Sequence, residues 1–200
     1  VLLEPKKAEH HNNLGNTLLK IGRLKEAEES CRQAIALEPK NELAQYNLGQ
    51  IFFKLQKLDK AELAFRNAIS LKQDNFQAYF KLGNTLKALG KPKEAEAAYS
   101  DAIEIKPDFT DAIMMKGGLL FERGEFESAL RNFDFCDTIR SRARAIITLY
   151  SLGRVEEIYK RIENLAHVDA KNIRVAAFSA FLSAINKKTT TFHFCDNPLD

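Results

Sequence analysis

Four glycines, Gly15, Gly49, Gly83 and Gly117, stand 34 residues apart, and four alanines, Ala27, Ala61, Ala95 and Ala129, keep the same step. Longer strings repeat with them. Leu14-Gly15-Asn16-Thr17-Leu18 returns unchanged as Leu82-Gly83-Asn84-Thr85-Leu86, and Lys25-Glu26-Ala27-Glu28 returns as Lys93-Glu94-Ala95-Glu96, both two periods on. A fixed period of this length belongs to stacked arrays, in which each unit buries its apolar face only against its neighbours.

Inside one period the pattern is helical twice over. Tyr46, Phe52, Phe53 and Leu55 recur at helical spacings around Gly49, and Ala61, Ala64, Phe65, Ala68 and Ile69 then give the i, i+3, i+4, i+7, i+8 stripe of an amphipathic helix. The breaks between the two helices fall at Gly22-Arg23, Gln56-Lys57, Gly90-Lys91 and Gly124-Glu125, where glycine can close a helix through a left-handed residue. Pro39 and Pro107 are placed to stop second helices, and Pro92 to start one, since the first helical position needs no N–H. Each period therefore reads as two antiparallel helices. A glycine inside a helix costs roughly 0.5–1 kcal/mol relative to alanine, so one repeated in register implies close packing. Gly15 and its equivalents supply the gap, and Phe65, Tyr99 and Phe133 fill the space beside it.

These residues resemble the tetratricopeptide repeat family, whose pattern runs Leu-Gly-x-x-Tyr, then Ala-x-x-x-Phe, then Pro over 34 residues. Leu14-Gly15 with Leu18, Leu48-Gly49 with Phe52 and Leu82-Gly83 with Leu86 match its first half. Ala61 with Phe65, Ala95 with Tyr99 and Ala129 with Phe133 match its second. The chain departs from the pattern at His11 and Gln45 in an aromatic slot, at Cys31 for an aromatic, and at Lys116 for leucine. The resemblance implies an all-α, right-handed α-solenoid of stacked antiparallel helix pairs. Repeats are expected at residues 8–41, 42–75, 76–109 and 110–138. Residues 139–168 are expected to form a degenerate helix pair, read as 143–152 and 155–165, and residues 169–188 a terminal helix. The tail is 189–200. Leu3-Glu4-Pro5 echoes Leu37-Glu38-Pro39 one period earlier, so residues 1–7 read as the last turn of a preceding repeat, with the protein expected to extend further N-terminally.

Composition removes several function classes. Thirty Lys plus Arg against 27 Asp plus Glu leaves a net charge of +3, too small for an electrostatic grip on nucleic acid or an anionic membrane. The longest near-apolar stretch, 175–185, is shorter than the ~18–20 residues that span a bilayer. Three cysteines, Cys31, Cys136 and Cys195, form no C-x-x-C pair, which points to reduced thiols and a cytoplasmic protein; Cys31 and Cys136 fall on core-facing stripes. No phosphate loop, nucleophile elbow or zinc-protease helix occurs. His10 and His11 project about 100° apart on a helix and make poor joint ligands, and His193 and Cys195 lie in the tail. Arg140, Arg142 and Arg144 are read as answering nearby acids such as Asp134 and Asp137, or as simply solvated. No catalysis, cofactor or metal is expected.

What remains is surface. In a helix-pair solenoid the first helix of each repeat lines a groove, and the residues flanking the glycine face it. The candidates for peptide binding are Asn13, Asn16, Tyr46, Asn47, Phe53, Phe80, Lys81 and Asn84, with Lys20, Lys54, Lys87, Met114, Met115 and Phe121 as further lining. A carboxamide both donates and accepts, so an asparagine ladder can hold an extended backbone without reading its side chains. Asn13 and Asn47 resemble the ladder in the tetratricopeptide arm of the O-linked N-acetylglucosamine transferases, which Lys81 and Met115 interrupt; Asn12 stands where a chaperone-tail carboxylate clamp has lysine. The expected role is a non-catalytic scaffold that binds an extended peptide or a partner helix. The alternative is a recruiting arm of a larger enzyme. The segment Phe194-Cys195-Asp196-Asn197-Pro198 resembles the join to a 2-oxoglutarate/iron(II) oxygenase-like domain, and a glycosyltransferase domain is the other possibility.

Overall fold

Helix after helix follows from the alternating apolar stripes and their punctuation. The computed structural model describes residues 5–166, and among these every regular element is an α-helix. The elements are α1 (Pro5–Lys20), α2 (Leu24–Leu37), α3 (Glu42–Lys54), α4 (Leu58–Leu71), α5 (Phe76–Ala88), α6 (Pro92–Ile105), α7 (Thr110–Glu122), α8 (Phe126–Phe135), α9 (Ile139–Ser151) and α10 (Val155–Ala166). The expected terminal helix 169–188, the tail 189–200 with His193 and Cys195, and most of the expected turn 1–7 lie outside the described residues. The chain divides into two compact units at Lys116 and Gly117.

In the first unit α1 pairs with α2, α3 with α4 and α5 with α6, and each pair packs on the next through α2 with α3 and α4 with α5. The pairing depends on the repeated glycine. A Cβ placed on Gly49 would lie 2.7 Å from Phe65 Cε1, and one on Gly83 would lie 2.5 Å from Tyr99 Cε1. Both rings are fully buried beside Ala61 and Ala95, which are themselves inaccessible to solvent. In the first repeat Cys31 takes the place of the ring, and a Cβ on Gly15 would still come within 2.5 Å of its Sγ. The space is filled in every pair, by a ring or by a thiol.

Neighbouring pairs are also tied at the surface. Glu28 accepts from Arg32 one turn on and from Lys57 of the next repeat, at 2.9 and 3.2 Å; Glu62 repeats the arrangement with Arg66 and Lys91, both at 2.9 Å. At Glu28 burial raises the carboxyl, but the bonds from Arg32 and Lys57 outweigh it; at Glu62 the Lys91 bond leads. Both carboxyls are held below their ordinary range. The cationic partners are largely exposed, so each bridge contributes less than about 1 kcal/mol and serves register more than stability.

In the second unit a Cβ on Gly117 would lie 2.7 Å from Phe133 Cε1, so the same contact recurs. α9 starts at Ile139, four residues before the 143 expected from sequence. The reason is a capping box: Thr138 Oγ1 accepts from Ser141 N at 3.0 Å, and Ser141 Oγ accepts from Thr138 N at 3.2 Å. The arginine run therefore lies inside the helix. Arg142 pairs with Asp137 as expected, whereas Asp134 is taken by Arg161, and Arg144 sits over the Phe133 ring at 5.9 Å.

The turns inside the helix pairs share one geometry. Gly22, Gly90, Gly124 and Gly153 adopt φ between +71° and +82°, and the residue after each donates its N–H back to a carbonyl in the last turn of the preceding helix. Gln56 occupies the same turn with φ +57° and is the one non-glycine residue with positive φ among those described. Its side chain gains nothing there to offset the steric cost of the left-handed region. Gln56→Gly should raise stability by about 0.5–1 kcal/mol, read as a shifted urea midpoint with an unchanged slope.

Candidate functional site

α1 packs on α3 and α3 on α5, so the first helices of the first three repeats form a continuous layer. The candidate residues recur on one face of this layer through the i, i+3, i+4 and i+7 spacing of each helix. Asn13 on α1 is exposed, while Asn16, Tyr46, Phe53, Phe80, Lys81 and Asn84 are half-buried. Lys20 and Lys54 extend into solvent at the ends of α1 and α3.

Not all of the amides are open to a ligand. Asn47 is buried, and its Nδ2 donates to Asn12 Oδ1 at 2.9 Å across the first two repeats. Gln50 Nε2 donates to Asn47 Oδ1 at a long 3.4 Å. On the third repeat Asn84 Oδ1 accepts from Tyr99 Oη at 2.8 Å, which satisfies the buried phenol. The asparagines at these points thus tie one helix to its neighbour before they meet any ligand. The sequence could not reveal this, because the donors and acceptors come from different repeats or from the second helix. Asn13 is exposed and Asn16 half-buried.

The apolar lining changes in the same way. Tyr46 packs edge-on to Phe65 at 5.9 Å between centroids, and Phe80 meets Tyr99 at 5.9 Å and Phe109 at 5.0 Å. These rings anchor on the core and remain half-buried. Burial, with the Glu42 charge, raises the Tyr46 phenol above its ordinary range. Lys81 Nζ lies over the Phe80 ring at 5.6 Å, so charge and ring form one patch. Met114 and Phe121, expected as lining, are buried instead; Phe121 packs on Phe126 at 5.2 Å.

No group of three His, Cys, Asp or Glu side chains among the described residues could hold a metal ion. None of the described helices is long and apolar enough to cross a membrane. Cys31 and Cys136 are buried, as their stripes predicted.

Family models for the tetratricopeptide repeat match residues 8–41 and 76–109, and a model for the TPR repeat matches residues 49–90. No curated protein sequence is significantly similar. Among solved structures, MamA is 27% identical with a TM-score of 0.63, over 77% of this chain and 83% of its own. The first TPR of Spaghetti (RPAP3), solved with the HSP90 peptide SRMEEVD, is 26% identical with a TM-score of 0.57, over 58% of this chain and 92% of its own. A tetratricopeptide repeat protein from Parabacteroides merdae is 20% identical with a TM-score of 0.75, over 91% of this chain and 75% of its own.

Burial pushes the Cys31 thiol up to about 11. The unfolded thiol ionises near its ordinary value of about 8.5, so between these limits unfolding releases a proton and stability falls as pH rises. Urea midpoints measured from pH 8 to 10.5 should fall more steeply for the wild type than for Cys31→Ala. Equal slopes would mean that the thiol titrates normally in the folded state.

Proposed function

Since the chain is a tetratricopeptide repeat protein, we propose that it is a non-catalytic scaffold that binds an extended, mildly acidic peptide along the face shared by α1, α3 and α5. The carrying observation is the half-exposed rings of Phe53 and Phe80 on a surface that also holds open amides and lysines. The ligand's apolar side chains meet these rings. Its backbone meets Asn13 and Asn16, and its carboxylates meet Lys20, Lys54 and Lys81. The similar Spaghetti domain was solved with a peptide, SRMEEVD, that combines acidic and apolar residues, the same chemistry this face suits. Asn47 and Asn84 contribute by fixing the helices that present the rings, because their amides are engaged within the protein. Tyr46 supports from beneath.

A neutral hydrogen bond contributes about 0.5–1.5 kcal/mol net, whereas a desolvated aromatic anchor at an interface contributes about 2 kcal/mol or more. Peptides selected on the wild type should therefore bind Phe53→Ala or Phe80→Ala more weakly than Asn13→Ala, and moderate salt should weaken all of them slightly. Asn47→Ala should instead lower thermal stability, by stranding the buried Asn12 amide. Equal peptide binding by wild type and a folded Phe53/Phe80 double alanine variant would move the site elsewhere.

A further inference from the structure

The repeats present the same helix stripe under different cover. Leu48 of α3 and Leu82 of α5 are 7% and 4% exposed, but Leu14, one period before Leu48, is 50% exposed on α1. Ile51 and Thr85 are inaccessible, whereas the equivalent Thr17 is exposed, and Ile21 one turn further on is 62% exposed. In the second and third repeats these positions are covered by the pair before them, through α2 on α3 and α4 on α5. α1 is the first described helix and has no pair before it. The end helix of a stacked array ordinarily turns a polar face to water, and a leucine and an isoleucine two turns apart are the reverse of one.

The charged residues at this end carry the same signature. Where the second and third pairs meet, Lys91 and Glu94 at the start of α6 both reach back to α4, Lys91 to Glu62 at 2.9 Å and Glu94 to Arg66 at 3.3 Å. One period earlier Lys57 likewise reaches back to Glu28 of α2 at 3.2 Å, and Lys60 stands in the place of Glu94. Arg23 and Glu26 hold the places of Lys91 and Glu94 in the first pair, and with no pair behind them they close on each other. Both are more than half exposed, and such a bridge one turn apart is exchanged at little cost.

We propose that this end of the array, formed by Leu14, Thr17 and Ile21 with Arg23 and Glu26, docks an amphipathic helix of a partner protein that carries Glu-x-x-x-Arg on the flank beside its apolar stripe. α4 is the template: Glu62 and Arg66 are the acid and the cation, and Ile69, Ser70 and Gln73 continue the face that meets Leu82 on α5. The partner's acid takes Arg23, and its cation takes Glu26. A second copy cannot offer α2 or α4, which are already seated against α3 and α5. The backbone also argues for a helix supplied in trans. Residues 39–41 and 73–75 form the turns that carry α2 into α3 and α4 into α5, whereas the equivalent residues 5–7 belong to α1 itself. The site lies beside the α1, α3 and α5 face and does not rest on peptide binding there.

The test uses the full chain, isotope-labelled for amide NMR, titrated with an acetylated and amidated peptide of residues 58–73 and with a version in which Glu62 and Arg66 are exchanged. The first peptide should shift the amides of Leu14, Thr17, Ile21 and Arg23, and the exchanged peptide should bind at least about fivefold more weakly. Leu14→Gln keeps a good helix former at an exposed position, so the variant should fold and bind at least about tenfold more weakly. The Arg23→Glu/Glu26→Arg variant should reverse the preference and favour the exchanged peptide, which an apolar patch alone would not do. No shift at millimolar peptide, equal affinity for the two peptides, unchanged binding by Leu14→Gln, or shifts confined to Asn16, Phe53 and Phe80 would each overturn the assignment. Shifts at Leu14 and Ile21 on concentrating the protein alone would make a second copy the occupant, and would also overturn it.

Discussion

Three of the helix pairs are held at one point where a glycine of the first helix meets an aromatic ring of the second. Phe65, Tyr99 and Phe133 stand where a Cβ on Gly49, Gly83 or Gly117 would intrude to 2.5–2.7 Å. A ring seated against bare backbone makes many dispersion contacts and excludes water from both helices. Ala27, Ala61, Ala95 and Ala129, all inaccessible to solvent, let the second helix approach closely enough for this to happen. The angle and spacing of the pair follow from the contact, and the face presented by α1, α3 and α5 follows from the pairs.

The same contact sets what the proposed binding face can offer. Tyr99 hands its hydroxyl to Asn84, so a core residue dictates what one amide on the exposed layer is free to do. Tyr46 and Phe80 lean on Phe65 and Tyr99, which holds the half-buried rings in place. A preorganised ring loses little entropy on binding, and that favours a groove whose affinity lies in its aromatics.

Much of the fold was legible because it is written in a period. The glycine and alanine register, the glycine turns and the roles of Pro39, Pro92 and Pro107 all read directly from spacing, and the helices end where those residues end them. The start of α9 was not legible, because Thr138 and Ser141 form a cap only as a reciprocal pair, and the apolar stripe that marks the helix begins only after them. The site was legible as a face but not as a set of available groups. Asn47 looks like a free amide in sequence, and its partner Asn12 lies one repeat away and one position out of register. Met114 and Phe121 share the spacing of lining residues, yet packing buries them. Hydrogen bonds between repeats depend on three-dimensional register, which periodicity alone does not disclose.

The central claim is that the glycine and the ring act as one unit, and a double-mutant cycle at Gly49 and Phe65 tests it most directly. Gly49→Ala alone should cost about 2 kcal/mol or more through overpacking against the ring, despite the better helix propensity of alanine. Phe65→Leu alone should cost about 1–3 kcal/mol as the seat is left partly empty. With both changes the new methyl occupies space the ring has vacated, so the double variant should be more stable than the sum of the single losses by at least about 1 kcal/mol. Additive losses, or a Gly49→Ala protein as stable as the wild type, would contradict the account.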